Sequence, residues 1–281
     1  VLGALNAWPA VCEEELGGAR LTYERLEVFG TPRRLALCVH GLSEKQNELH
    51  ERVQGPPKAI AYTKEGELSH VGKKFIDKLG VPPEAVQIVA TDKGEYVVAE
   101  RHEPGRAAPE VLKDLLPRLA TRIPFPKMMR WGEGNHAFGR PVQWLVALLD
   151  KEIIPAEFAG IQAGRRSRGH RFLAKEDVVL ESATHYVETL ARARVVVQGD
   201  IRKATIAAQL ERACGELGGR LRQDEALVEE CAYLVEEPHV VTGNFASTFL
   251  ELPEEVIIAV MRGHQRYFAI KDASDERLTA R

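Results

Sequence analysis

The segment YERLEVFGTPRRLALCVHGL, residues 23–42, is the stretch that best indicates how this chain folds. Apolar and polar side chains alternate in YERLEVF and again in LALCVHGL, a pattern typical of half-buried strands. GTPRR lies between them and contains Gly and Pro, which favour turns. The segment therefore predicts a β-hairpin. Arg33 and Arg34 lie at its turn, and because adjacent strand residues point to opposite faces, we expect the two to have different roles.

Helices and strands are interleaved along the rest of the chain. Ser69 is expected to cap a short helix, residues 81–103 to form strand, turn and strand, and Pro109 to lie in the first turn of another helix. Further on, residues 142–150 (VQWLVALLD) predict a buried strand, and Ser182, Asp200, Asp224 and Pro253 mark four helix starts. The interpretation is an α+β (mixed α/β) fold of two packed domains with interleaved helices and mostly antiparallel strands.

A segment rich in Pro and Gly, residues 121–141, suggests where the two domains meet. The first, an N-terminal α/β domain, is predicted at residues 1–125. The second, predicted at residues 126–281, is an α/β domain with an arginine-rich loop and helices near its carboxyl end.

Composition limits the class of function. The chain has 38 basic and 41 acidic residues and a formal net charge of −3, so any contact with nucleic acid must come from local patches. The four cysteines are scattered, which favours a reduced, cytoplasmic protein. Since the sequence has no apolar run of 18 residues, no membrane span is expected.

The densest basic run is GRRSRGHRF, residues 164–172. It contains four arginines close to an aromatic side chain: Arg165, Arg166, Arg168 and Arg171, with Phe172. Guanidinium groups match the geometry of phosphate, and aromatic rings stack on unpaired bases. We expect RNA or phosphate contact here; an acidic protein partner and a solvated loop are the alternatives.

Two further segments contain candidate binding residues. In MRGHQRYFAI, residues 261–270, a helical projection places His264 within an apolar stripe, where it would be buried, and Arg262 and Arg266 on the opposite face. These arginines would hold phosphate or an acidic partner, or form a solvated face. In PKMMRWGEG, Lys127 and Arg130 lie beside Trp131, which predicts either a grip on a nucleic-acid backbone or an interface loop.

Common catalytic and cofactor motifs are absent from the sequence. It has no GxxxxGK[ST], GxGxxG, GxSxG or HExxH motif and no CxxC pair. We therefore expect no catalytic residue, no metal site and no cofactor site in this chain.

Several segments, in this order and spacing, resemble the beta subunit family of bacterial heterotetrameric glycyl-tRNA synthetases. They are FGTPRRLAL, VQGPP, PKMMRWG, FGRPVQWLVALL, GHRFL, ARVVVQGDIRK and LVEEPHVVTGNFASTFLELPEEVIIAVMRGHQRYFAIKD. The resemblance runs from about residue 21 to residue 278. One departure is Glu237, where the family often has Trp. The resemblance implies that this is the amino-terminal part of a longer subunit, whose HD-type and anticodon-binding domains would lie beyond residue 281.

The resemblance also implies a function. In that family the alpha subunit activates glycine with ATP, and the beta subunit binds tRNA and is required for charging. This chain would then be a non-catalytic part, with the alpha subunit and tRNA(Gly) as partners in an alpha2beta2 assembly. The candidate RNA-binding residues are Arg165, Arg166, Arg168, Arg171, Arg33, Arg34, Lys127, Arg130, Arg262 and Arg266.

Two alternatives stay open. The chain would be a structural scaffold that docks the alpha subunit while other domains bind RNA, or a vestigial editing-type hydrolase that uses His170 or His264. The absence of a paired nucleophile or metal ligand in the sequence speaks against the hydrolase.

Overall fold

A computed structural model describes residues 2–63, 66–92, 94–131, 134, 136–274 and 277–280. Its α-helices are α1 (Leu2–Gly18), α2 (Lys58–Ala61), α3 (His70–Leu79), α4 (Ala108–Thr121), α5 (Tyr186–Arg192), α6 (Gly199–Glu216), α7 (Glu225–Ala232) and α8 (Glu254–Val260). Short 3₁₀ turns lie at Pro83–Ala85, Ala183–His185 and Ser247–Glu251, and a π-helical turn at Met261–Gln265.

The strands are mostly short and pair in small sheets. They are β1 (Arg25–Thr31), β2 (Arg34–His40), β3 (Leu49–Pro57), β4 (Val86–Thr91), β5 (Gly94–Glu103), β6 (Met129–Arg130), β7 (Ala137–Phe138), β8 (Leu148–Leu149), β9 (Glu152–Ile153), β10 (Glu157–Phe158), β11 (Ile161–Gln162), β12 (Arg166–Arg168), β13 (Asp177–Val179), β14 (Gly219–Leu221) and β15 (Ile270–Asp272). The three-stranded sheet has the order β3-β5-β4, and all named strand pairs are antiparallel. The predicted α+β class is confirmed.

The chain groups into two compact units. One consists of Val1–Glu15, Glu24–His40 and Leu112–Arg281, and the other of Leu16–Tyr23 and Gly41–Val111. The sequence predicts a boundary between two domains at residues 125 and 126, and this boundary stays a prediction.

The smaller unit is built on the sheet β3-β5-β4. β5 is its central strand, and Val97, Val98 and Ala99 of that strand are buried. Helix α3 begins as predicted, because the Ser69 hydroxyl accepts a hydrogen bond from the amide of Gly72 at 3.2 Å. It ends at Gly80, whose φ of +64° suits glycine.

The larger unit contains the predicted hairpin and most of the helices. β1 and β2 pair from Arg25 opposite His40 to Thr31 opposite Arg34, which confirms the hairpin. One apolar cluster contains Leu190, Val195 and Val197, with Phe29 and Tyr186 packed against it. Another contains Ile206, Leu210 and Ala232.

Two parts of the chain differ from the sequence prediction. Residues 142–150 form a strand only at Leu148–Leu149, and of these nine residues Ala147 alone is buried. Helix α1 was not predicted. Four of its buried residues, Ala4, Trp8, Cys12 and Leu16, recur every four positions, a helical spacing that the sequence does contain.

The described helices include none that is both long enough and apolar enough to cross a membrane.

Candidate nucleic-acid interface

The turn between β1 and β2 is fixed by hydrogen bonds to a buried glutamate. The Thr31 hydroxyl donates to Oε1 of Glu236 at 2.7 Å and accepts from the amide of Arg33 at 3.2 Å. Arg34 Nη1 lies 2.9 Å from the same carboxylate oxygen, and both side chains are almost fully buried. Burial lowers the pKa of Arg34 and the charge of Glu236 opposes that shift. The ion pair thus keeps a charged guanidinium inside the unit.

Arg33 lies in the turn just before β2 and occupies a more open position than Arg34. Its Nη1 donates to the carbonyl of Gly169 at 3.1 Å and lies 3.5 Å from Oε2 of Glu236. Its side chain is about a quarter exposed (26%). The two arginines at the turn therefore have different environments, and Arg33 is the one with access to solvent.

Three guanidinium groups surround the ring of Trp144. Those of Arg33 and Arg34 lie 5.8 Å from its centroid and that of Arg168 lies 5.0 Å away, distances typical of cation–π contacts. Arg168 also donates to the side-chain oxygen of Gln143 at 2.7 Å. Both contacts of Arg168 are to neutral groups, so its positive charge is not offset by either.

Arg202 is a buried arginine that the sequence analysis did not single out. Its guanidinium donates to the carbonyl oxygens of Ala232, Val196, Val197 and Gly30 at 2.6, 2.6, 2.9 and 2.6 Å. The side chain is fully enclosed, and desolvation lowers its pKa. The DIRK sequence at residues 200–203 resembles an exposed helix start, so the only available signal was that Arg202 falls four residues before the buried Ile206.

The run GRRSRGHRF places its four arginines in different environments. Arg166 and Arg168 flank the buried Ser167 on β12, and Arg166 is exposed. Arg165 donates to the carbonyls of Lys151 and Glu181 at 2.8 and 3.4 Å, which ties it to neighbouring loops. Arg171 is exposed, and its guanidinium lies 5.7 Å from the ring of Phe172.

Phe172 is an unusually exposed aromatic residue, with 73% of its surface accessible. The turn that presents it is held by His170, whose Nδ1 accepts from the amides of Phe172 and Leu173 at 3.3 and 3.2 Å. Since Nδ1 is occupied as an acceptor, it is not free to act as a general base. An exposed ring beside an exposed guanidinium forms a stacking platform suited to a base and its phosphate.

Lys127 and Arg130 lie near the short hairpin of β6 and β7. Both are exposed, and Arg130 pairs through its backbone with Ala137. Trp131, beside them, is half-buried.

The segment MRGHQRYFAI corrects the prediction for His264. His264 is exposed rather than buried, while Arg262 and Arg266 are half-buried. The reason is that the apolar stripe on which the projection placed His264 is itself exposed, since Val256 and Val260 on that stripe are 50% and 49% exposed. Arg262 Nε donates to Oδ2 of Asp224 at 2.6 Å, and Arg266 Nε to Oε1 of Glu230 at 2.7 Å.

The structure therefore brings some of the predicted residues together and leaves others apart. Arg33, Arg34 and Arg168 meet around Trp144, and Arg166, Arg171 and Phe172 lie along the same segment of chain. Arg262 and Arg266 are instead bonded to the acidic residues of α7 and its cap.

Three of the segments that resemble the family are joined by the hydrogen bonds of Glu236 and Arg202. Gly30 and Thr31 come from FGTPRRLAL, Val197 and Arg202 from ARVVVQGDIRK, and Glu236 from LVEEPHV. The statistical model of one protein family, described as glycyl-tRNA synthetase beta subunit, matches residues 1–281. The chain belongs to this family. Glu237 forms an ion pair with Arg194 at 2.6 Å, which gives that position a partner within the chain.

Curated relatives agree with this assignment. The chain is 43% identical over 269 residues to the glycine–tRNA ligase beta subunit of Geobacter sulfurreducens, and 41% identical over 269 residues to that of Geobacter metallireducens. It is 40% identical over 275 residues to that of Trichlorobacter lovleyi. These alignments cover 96%, 96% and 98% of the chain but only 39%, 39% and 40% of the relatives. The chain thus spans about two fifths of their length.

Proposed function

We propose that this chain is a non-catalytic part of a glycyl-tRNA synthetase beta subunit that contributes to tRNA binding and to assembly with the alpha subunit. The complete alpha2beta2 complex would attach glycine to tRNA(Gly) with ATP in the cytoplasm, and ATP would be used by the alpha subunit. Family membership supports the reaction. The observation that best supports RNA contact is the exposed Phe172 beside the exposed Arg171.

The RNA surface that we propose is defined by Arg166, Arg171 and Phe172, with Arg33 and Arg168 as further candidates. Arg166 and Arg171 are exposed, so both can reach phosphate oxygens. Phe172 would stack on an unpaired base, an interaction worth about 1–3 kcal/mol per base. Arg34 is bonded within the unit and suits a supporting role, in which it positions the turn that presents Arg33.

The experiment is to assemble the complete synthetase with R166A/R171A/F172A in the beta subunit and to measure its affinity for tRNA(Gly). We expect a loss of about tenfold or more, because at least one stacking contact and two phosphate contacts disappear. The matched control is R192A/R212A, which removes two exposed arginines of the same unit that pair with Glu188 and Glu216. Equal affinities for all three proteins would contradict RNA contact and favour the scaffold alternative.

A different surface favours assembly with the alpha subunit. Helix α8 contains no buried residue, and its Val256 and Val260, one helical turn apart, are 50% and 49% exposed. Phe249 and Leu252, which precede the helix, are about half exposed as well. Clustered exposed apolar side chains are typical of protein interfaces.

We propose that this apolar surface of residues 249–260 docks the alpha subunit. The test is co-elution of the intact beta chain with alpha after V256D/V260D, which we expect to abolish the complex. I201D is the control, because Ile201 is similarly exposed (51%) on α6 of the same unit. If V256D/V260D still co-elutes with alpha, the docking site lies elsewhere in the beta subunit and the proposal is contradicted.

A further inference from the structure

Three potential metal ligands meet at one end of the sheet in the smaller unit. His50 on the edge strand β3 lies directly opposite His102 on β5. Glu48 precedes His50 by two residues, and alternation along an extended chain places both side chains on one face. Opposite residues of an antiparallel pair also share a face. Strand geometry alone therefore brings the three side chains together.

Their atoms converge on a small region. Oε2 of Glu48 lies 3.6 Å from Nε2 of His50 and 3.4 Å from Nε2 of His102, and the possible ligand atoms of the three residues all lie within 4.8 Å of one another. Zn²⁺ binds His nitrogen and carboxylate oxygen at about 2.0–2.2 Å in tetrahedral geometry. Neighbouring ligand atoms of such a tetrahedron are then about 3.3–3.6 Å apart. The two nitrogen–oxygen distances match this spacing.

The surroundings suit a metal with an open position. The two imidazole rings are 4.3 Å apart between centroids and inclined by 25°, and all three side chains are exposed. Exposed rings can rotate by a small angle to direct both nitrogens at a shared ion. Lys45 lies 3.9 Å from the other carboxylate oxygen, Oε1, so Oε2 stays available.

We propose that Glu48, His50 and His102 form a binding site for a divalent zinc-type metal ion, with water in the remaining position. Two imidazoles and one carboxylate are a ligand set that Zn²⁺ uses with an open fourth position. Nitrogen ligands favour Zn²⁺ over Mg²⁺, which prefers oxygen. The ion would join the start of β3 to the end of β5 and so fasten the edge of the sheet. This site differs from the expectation of no metal site, which rested on the absence of local motifs; the two histidines are 52 residues apart in sequence and only strand pairing brings them together.

The test is to titrate the intact, metal-free chain with Zn²⁺ at pH 7.5 by calorimetry. H50A, H102A and E48Q are the variants, and H70A is the control, since His70 is an exposed histidine of the same unit outside the cluster. We expect the wild type and H70A to bind one more equivalent of Zn²⁺ than H50A or H102A do. E48Q should bind at least about tenfold more weakly, because even outer-shell changes cost 10–100-fold in metal affinity.

Two further measurements distinguish the loss of metal ligands from a loss of folding in the variants. Co²⁺ in place of Zn²⁺ should give the strong visible absorption of four-coordinate cobalt in the wild type and H70A only, and excess Mg²⁺ should not displace it. Circular dichroism should be the same for all variants, because the three side chains are exposed. The proposal is overturned if the intact chain takes up no Zn²⁺, or if H50A/H102A binds as many equivalents as the wild type with the same affinity.

Discussion

Arg202 is fully buried, yet most of the N–H groups of its guanidinium donate hydrogen bonds. A guanidinium has five N–H donors in a planar fork, and four hydrogen bonds to main-chain carbonyls are present here. The ring of Tyr233 lies 5.3 Å from the guanidinium carbon. The bonded carbonyls belong to Gly30, to residues 196 and 197, and to Ala232, so one side chain joins three separate segments of the larger unit.

The first prediction concerns this residue. Arg202→Met should lower the free energy of unfolding by about 3 kcal/mol or more, because several buried carbonyls lose their donor at a cost of about 1–3 kcal/mol each. Arg202→Lys should recover only part of the loss, since an ammonium group cannot reproduce the planar fork. Urea denaturation of the two variants measures both effects. Arg192→Met is the control, because Arg192 is largely exposed; a similar stability for the Arg192 and Arg202 variants would contradict the role.

The second prediction concerns two thiols. Desolvation raises the pKa of Cys12 to about 12 and that of Cys38 to about 11, from an ordinary value of 9.0. Since the thiolate is the reactive form, both should react with a disulfide reagent at pH 8 about 100-fold or more slowly than a free thiol. Mass spectrometry of the native and unfolded chain would locate the labelled residues. Rapid labelling of either residue in the native chain would contradict the raised pKa of its thiol.

At the scale of elements, the predicted caps at Ser69 and Asp224 are confirmed, whereas Asp200 lies inside α6, which begins at Gly199. Asp224 caps α7, as its Oδ1 accepts from the amide of Leu227 at 3.0 Å, and it also pairs with Arg262. The hydrogen bond from Arg262 is the main reason that the pKa of Asp224 is lowered. Because the pKa of Asp224 is lower in the folded state than in the unfolded state, the ionised carboxylate stabilises the fold above its unfolded-state pKa, near 4. This stabilisation is lost as the pH falls through the folded-state pKa.

The third prediction follows from this pair. Asp224→Ala should destabilise the chain by about 1 kcal/mol at pH 7, and the difference from wild type should shrink as pH falls below about 4. Asp224→Asn should cost less, because Asn is also a good cap and only the ion pair is lost. Urea midpoints at pH 7 and pH 3 measure both variants. A destabilisation by Asp224→Ala that is equal at the two pH values would contradict a contribution from the ionised carboxylate.

Local signals such as caps and alternation predict elements well because they act between residues close in sequence. The hairpin of β1 and β2 and the caps at Ser69 and Asp224 are of this kind. The prediction that His264 is buried is wrong because the apolar stripe of α8 that contains it is exposed, and the residue pattern alone does not tell which apolar face the fold covers. Residues 142–150 are apolar enough for a strand but lack a long pairing partner among the described residues, and strand pairing depends on distant segments.

The candidate sites depend even more on distant contacts. The sequence suggested that Arg33 and Arg34 differ, but not that Glu236, about 200 residues away, would neutralise the buried one. It placed Arg171 beside Phe172 but gave no measure of their exposure. The cluster of Glu48, His50 and His102 follows only from the register of β3 and β5.

At the scale of the whole molecule, the formal net charge of −3 leaves local patches to attract a polyanion. Arg166 and Arg171 are exposed and lie in the same segment as Phe172, and we propose that they form such a patch, whereas Arg34, Arg262 and Arg266 are paired with carboxylates. Because each phosphate contact releases counterions, the number of contacts appears in the salt dependence of binding.

The measurement that most directly tests RNA contact by this patch is the slope of log affinity for tRNA(Gly) against log salt concentration. It compares the complete synthetase with its R166A/R171A variant. We expect the variant's slope to be smaller in magnitude by about 1.4–1.8, because two phosphate contacts are lost at about 0.7–0.9 per contact. Identical slopes for the two proteins would contradict it and would place the tRNA contacts elsewhere in the complex.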